Sequence, residues 1–519
     1  DTAKTILIGR DAGKLIEHAD ADGTICIGYD AGEEITSGQY STLIGYSSGK
    51  PITTANHNTA VGYNTLVALA SGENNTVVGS HAGDALANNS NNVIMGYSAL
   101  STADSGETGN VVIGTQAGES INASGADYNV IIGQNAGTGG AAALAQSVII
   151  GGAAMDATAG NASTGQIAIG FNALTSLTTG QYNTAVGYEV MATEDTGNKN
   201  TALGYQCLYD LNVDGDGYNV AIGYRALYDC SSGIDNVAIG GNAGVAITGG
   251  HENVLIGSGA GASTANSDES ILIGYHAGQG ADISVDGIIG IGYQSLQSLT
   301  SGSGTTAVGY QAGKSINIGD QNTALGYKTL TLTTVGEYNV AIGYETLETN
   351  VYGSFNTGVG RMALEMVAPN DPGGGSSVAT HNTGIGASAG GDISTGTFNT
   401  CLGSNSGHDG TNNLTTGSNN TLIGAYTNPS AAGGSNQIVI GKDTDGLGDN
   451  YAVIGNDTTT RLYAADDTGA TLYAGSATVQ TSDERIKENI EDVGLGLDFI
   501  NQLKPKNIIK ETQLIMMIH

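Results

Sequence analysis

The feature that most constrains this chain is a repeat: a glycine preceded by a short β-branched run recurs at near-constant spacing from Gly9 to Gly455. Counting from Gly9 through Gly28, Gly45 and Gly62 to Gly441 and Gly455 gives 26 copies, and 15 of the 25 intervals are 17 residues. Internal periods near 20 residues are the mark of solenoids, in which each unit is too small to bury its own apolar face and stacks on its neighbours. The residue before the glycine is apolar in every copy, as in Ile44, Val61 and Leu203, and the residue three before is mostly Thr, Val or Ile. Those two share one face of a short strand; the small or apolar residue between them, such as Ala60 or Ala185, points the other way. Both faces therefore read as dry. One fills the interior of a coil, and the other calls for cover by further copies of the chain.

Asn stands four residues before the glycine in 16 copies, among them Asn58, Asn183 and Asn399. At a fixed corner it is expected to satisfy turn backbone groups and bond its counterpart in the next coil. Tyr often follows the glycine, as in Tyr46, Tyr188 and Tyr310. A ladder of such rings stacks on itself more readily than on sugars. An apolar pair comes next, such as Ala99-Leu100 or Ala117-Gly118, and predicts a second short strand closing the coil. With about 17 residues per turn and ~4.8 Å between stacked strands, 26 coils make a rod on the order of 120 Å long.

Composition supports one continuous architecture. The chain has 519 residues with 83 Gly, no Trp and 4 Phe, and carries 49 acidic against 16 basic residues, a formal charge of −33. No basic stripe exists to neutralise phosphates, so nucleic acid is not an expected partner, and no apolar run reaches the ~18 residues of a membrane helix. Cys26, Cys207, Cys230 and Cys401 lack any CxxC spacing and read as small buried hydrophobes. The chain opens at Asp1 without Met or a signal peptide, as expected of a processed product or a fragment.

The core Asn183-Thr-Ala-Val-Gly and Asn219-Val-Ala-Ile-Gly resembles the head repeats of trimeric autotransporter adhesins and related repeats of bacteriophage tail fibres. The resemblance spans roughly residues 1–455, with longer units here. It implies a homotrimeric rod of left-handed parallel β-roll coils. The fold class expected is therefore all-β, a parallel β-solenoid of ~17–19-residue coils over residues 1–457, with a short C-terminal helical segment.

Two departures from regularity stand out. The interval from Gly360 to Gly386 is 26 residues and contains Pro369, Pro372 and Gly373-Gly374-Gly375, which predicts a protruding loop at about 366–380 and a candidate receptor contact. A smaller irregularity lies between Gly403 and Gly424. Beyond Gly455, residues 458–481 read as a β-rich neck. Residues 482–519 follow, and the junction Thr481-Ser482-Asp483-Glu484-Arg485-Ile486-Lys487 resembles the start of the intramolecular chaperone domain that ends many phage tail spikes, endosialidases and fibres. In that family a Ser and a Lys five residues later cleave the chain before the Ser. Carried over, these are Ser482 and Lys487, a hydroxyl nucleophile and a desolvated base. Asp498 to Pro505 resembles that domain's second helix, whereas the residues after Lys506 depart from the family.

Other chemistry is weaker. Asn212-Val-Asp214-Gly-Asp216-Gly217 begins like a calcium loop, but Gly223 stands where its bidentate Glu belongs. Asp20-Ala-Asp22-Gly23 and Asp443-Thr-Asp445-Gly446 are similar acidic turns. Structural calcium at such turns is the one cofactor the sequence leaves open; no other is expected. The sequence reads as a non-enzymatic structural and adhesive fibre, extracellular or on a virion: a phage tail fibre assembling with itself and displaying a surface to a host receptor, which could be a glycan. The alternative is a bacterial trimeric surface adhesin or other appendage.

Overall fold

A computed structural model describes residues 4–16, 21–103, 106–122, 125–139, 144–157, 163–280, 285–367, 379–410 and 412–462, and the backbone of 506–510 and 513–517. The chain forms two compact units, Asp1–Thr458 and Thr459–His519. The first is a parallel β-solenoid. Each coil contributes one three-residue strand, and 26 of these, from Ile6–Ile8 to Ala452–Ile454, line up in a single parallel sheet. Pairing is in register from coil to coil: Thr59 opposes Thr76, Ala60 opposes Val77 and Val61 opposes Val78.

Strand alternation follows the sequence pattern. The central residue is buried in every strand from Cys26 to Val439, while its neighbours on either side are half-buried or exposed. The glycine that ends each strand is required twice over. At Gly187 φ is +138°, and a Cβ there would overlap the carbonyl oxygen of Gly204 in the next coil. Only glycine tolerates that backbone together with that approach.

The second strand expected at the apolar pair does not form. Two left-handed residues, two and four positions after the glycine, alternate with ordinary ones: Asn64 and Leu66 have φ of +54°, Glu189 +51° and Met191 +47°. A chain that switches hand every second residue cannot make a strand, so two successive tight turns close the coil. Their N–H groups bond along the stack instead, as in Asn64 to the Tyr46 carbonyl at 2.9 Å and Leu208 to that of Ala226 at 3.0 Å.

These turns explain why the fourth residue after the glycine is so often Gly or Leu. Gly adopts the left-handed backbone without cost, whereas Leu incurs about 1–2 kcal/mol of strain. Full burial of a Leu side chain is worth about 1.5–3 kcal/mol, and Leu66, Leu208 and Leu330 are completely buried. In most coils the choice follows the volume of the central strand residue; Ala238 with Gly244, Ala307 with Gly313 and Ile94 with Leu100 depart from it. Ala60, Ala202 and Ala324 accompany Leu66, Leu208 and Leu330, whereas Leu43, Leu255 and Leu272 accompany Gly49, Gly261 and Gly278. The Leu43 and Ile52 side chains fill the place that a Cβ on Gly49 would occupy. In these coils the thin core is thus filled by a compensating set.

Polar ladders run beside the core. Asn58 donates its amide to the Gly72 carbonyl at 2.9 Å, and its Oδ1 accepts both the backbone N–H and the side-chain amide of Asn75. This is the coil-to-coil bonding expected of the repeated Asn, and it continues through Asn92, Asn110 and Asn129. A second ladder lies at the turn six residues before the glycine, where Asp127, Asp268 and Asp320 accept the backbone N–H of Thr108, His251 and Ser303 at 2.7 Å each.

The long interval after Gly360 leaves the stack intact. Thr357 still pairs with Thr383, and Asn382 N–H reaches Asn356 Oδ1 at 3.0 Å. In the second unit, Lys506–Lys510 pairs antiparallel with Gln513–Met517. The helix expected at Asp498 to Pro505 lies outside the described residues.

Candidate functional site

The outward side of the sheet is the surface this fold displays most continuously. On either side of the central residue, which is buried from Cys26 to Val439, the first and third positions of the 26 strands make 2 × 26 = 52 sites, and none of them holds a charged residue. The third position is apolar in all 26 strands, while the first is Thr in 11 of them and apolar in the rest. Leu203, Leu325 and Leu402 are more than 40 % exposed there.

Aromatic ladders flank this face. The Tyr after the glycine stacks on its counterpart one coil on: Tyr29, Tyr46 and Tyr63 at 5.1 and 5.3 Å, and Tyr275, Tyr293, Tyr310, Tyr327 and Tyr344 at 5.0 to 5.5 Å with rings within 10° of parallel. A second ladder occupies the corner before the strand, where Tyr338, Phe355, His381 and Phe398 stack at 4.6 to 4.8 Å. The self-stacking expected of Tyr is what the fold does. Interior rings of a stack have both faces covered, which leaves edges for any partner.

Ser482 and Lys487 lie outside the described residues, as do residues 368–378 of the expected loop; Val367 and Ala379, which flank that stretch, are buried. The acidic turns serve the coil stack. Asp216 accepts from Lys199 Nζ at 2.6 Å and from the Tyr218 hydroxyl at 2.9 Å, Asp22 accepts the Lys4 N–H at 2.9 Å, and Asp445 accepts the Asn428 amide at 3.1 Å. Lys199 and Tyr218 hold the Asp216 carboxyl below its usual range. All four cysteines are free and buried. Burial pushes the thiols of Cys26, Cys230 and Cys401 up to about 12, which makes them poor nucleophiles and packing residues, as their spacing implied.

Sequence reasoning missed three things. The second ladder of turn acceptors was legible as Asp, Asn or Ser recurring six before the glycine. The volume compensation was legible as Leu replacing Gly in six of the nine coils whose strand centre is Ala. The third is a buried carboxylate, Glu194, in the interior, where Oε1 accepts the N–H groups of Thr196 and Gly197. Burial raises its pKa. No signal in the repeat announces it.

No family model matches this sequence, and no curated protein matches it. The fold defines a class, the parallel β-solenoid rods. A rod of this kind is compatible with a structural or adhesive fibre.

Proposed function

We propose that the chain is the shaft of a homotrimeric fibre, a phage tail fibre, that holds a receptor-contacting surface away from the particle that carries it. The observation that carries this reading is the charge-free outward face with its exposed Leu203, Leu325, Ile385 and Leu402. Large contiguous apolar surface on a soluble chain marks an association site. The occupants are further copies of this chain. A face that repeats at every coil is matched in length and spacing only by another stack with the same repeat, and closed symmetric assembly is the usual outcome. The tail-fibre assignment is supported by the resemblance of the repeat and of the segment around Ser482.

The reading is tested by light scattering of the purified chain. The monomer mass is 52.0 kDa, and a species of three times that mass is expected. A monomer at micromolar concentration would sink the assembly. Replacing Leu203, Leu325 and Leu402 with Lys in one variant is expected to dissociate it, with the far-ultraviolet spectrum kept. Self-cleavage is a separate part of the proposal, with Ser482 as nucleophile and Lys487 as base. Mass spectrometry is expected to show a product ending at Thr481, absent from Ser482→Ala; an uncut chain would reject that role.

A further inference from the structure

The regular surface is broken in one place where three changes coincide. The five-ring Tyr stack ends at Tyr344, and the next three coils carry Arg361, Ala387 and Ser404 where the rings stood. Beside this break lies a notch of about 470 Å³ lined on one side by Arg361, Met362, Ser388 and Asn405. The 21-residue interval between Gly403 and Gly424 supplies its wall, since its extra residues contribute His408, Asp409, Gly410 and Asn413 to the lining.

That wall is organised in advance. Asp392 accepts from His408 Nδ1 at 2.7 Å and from the Asn413 amide, and Asn413 Oδ1 takes the Gly410 N–H at 2.6 Å. The imidazole is thereby held at the lining with Nδ1 on Asp392. Three further groups on the lining have no side-chain partner among the described residues: the exposed Arg361 guanidinium, the Asn405 amide and the Ser388 hydroxyl. Arg361 contrasts with Lys14, Lys50, Lys199 and Lys328, each of which is paired with a carboxylate.

The geometry points to a binding site for one unit of a carboxylated sugar, a hexuronic or nonulosonic acid. The guanidinium fork matches a carboxylate with two parallel hydrogen bonds. Asn405, Ser388 and His408 match ring hydroxyl or acetamido groups. The volume is within the range of small-ligand sites. The inference rests on the fibre reading only for the source of the sugar, a surface polysaccharide.

The test uses the full chain and two acidic probes: a tetrasaccharide of alternating glucuronic acid and N-acetylglucosamine, and the methyl glycoside of N-acetylneuraminic acid. The carboxyl-reduced tetrasaccharide is the neutral control. Calorimetric titration is expected to show saturable binding of at least one acidic probe, with the reduced form bound at least tenfold more weakly. Arg361→Gln is expected to weaken the acidic probe by about tenfold and to leave the neutral one unchanged, while Asp392→Asn, which loosens His408 and Asn413, weakens both. Lys314→Gln serves as a charge control and should change neither, and unchanged melting of each variant shows the stack intact. Equal binding of acidic and reduced forms, an unaffected Arg361→Gln, or no binding of either acid would overturn the assignment. A trimer that binds no acid sinks only this site; a monomer that binds it sinks only the fibre.

Discussion

Asn253 donates both its backbone N–H and its side-chain amide to a single oxygen of Asn236, at 3.1 and 3.0 Å. The Asn236 amide in turn reaches the Gly250 carbonyl at 2.7 Å. Both side chains are fully buried. One residue therefore satisfies polar groups in its own and the following coil that no water reaches.

Replacing Asn236 with Leu keeps its size and strands the Asn253 N–H and the Gly250 carbonyl. Each buried group left without a partner costs about 1–3 kcal/mol, so a loss of about 2–4 kcal/mol in urea unfolding is expected. Asn236→Ser should cost much less, about 1 kcal/mol, because Ser41 holds the same corner in its own coil and its hydroxyl accepts the Asn58 N–H of the next coil at 3.2 Å. Equal losses for the two variants would show that the corner is filled by volume alone.

The strand-ending glycines differ sharply from those of the loops. Gly187→Ala adds backbone strain and a clash with Gly204, for a loss of about 2–5 kcal/mol. Gly215 has φ of +97° but nothing within 4 Å of a Cβ, so Gly215→Ala should cost only about 1–2 kcal/mol of strain. Chemical unfolding of the pair, side by side, measures the difference.

Volume compensation between Ala324 and Leu330 predicts a favourable coupling. Ala324→Leu alone overpacks the coil by about 1–3 kcal/mol, and Leu330→Gly alone leaves a cavity costing about 2–5 kcal/mol. The double variant restores the pairing that Leu43 and Gly49 already make, and a coupling of at least about 1 kcal/mol is expected from a double-mutant cycle. Additive losses would mean that the two positions do not share one space.

Glu194 gives the rod a pH dependence of known sign. Its pKa is raised by burial, with the N–H groups of Thr196 and Gly197 opposing the shift. The folded state then holds the proton more tightly than the unfolded chain, so its stabilising effect is complete at low pH and is lost as pH rises through the folded value. Glu194→Gln should melt higher than the parent at pH 8 and converge with it in acid. A gap that widens on acidification would reverse the assignment.

The solenoid, the strand, the Asn ladder and the Tyr stacks were legible because each depends on a residue type repeated at one offset. The closing turns were not. Apolar pairs such as Ala99-Leu100 read equally as strand or turn until the backbone shows Leu100 at φ +47°. A buried Leu in a left-handed conformation runs against its local preference, and only the gain from core burial makes it possible. The notch beside Arg361 was invisible for a different reason: it needs residues brought together from three coils. The Gly403 to Gly424 irregularity was visible as an interval, but its role as a wall was not.

The loop-bearing interval has a consequence for how such a rod changes length. Because Asn382 finds Asn356 across 26 residues as readily as Asn75 finds Asn58 across 17, the stack counts turns and ignores the chain spent between them. Whole coils can then be gained or lost by duplication or deletion while the cross-section stays the same. The molecule behaves as a ruler, with each coil one graduation of about 4.8 Å.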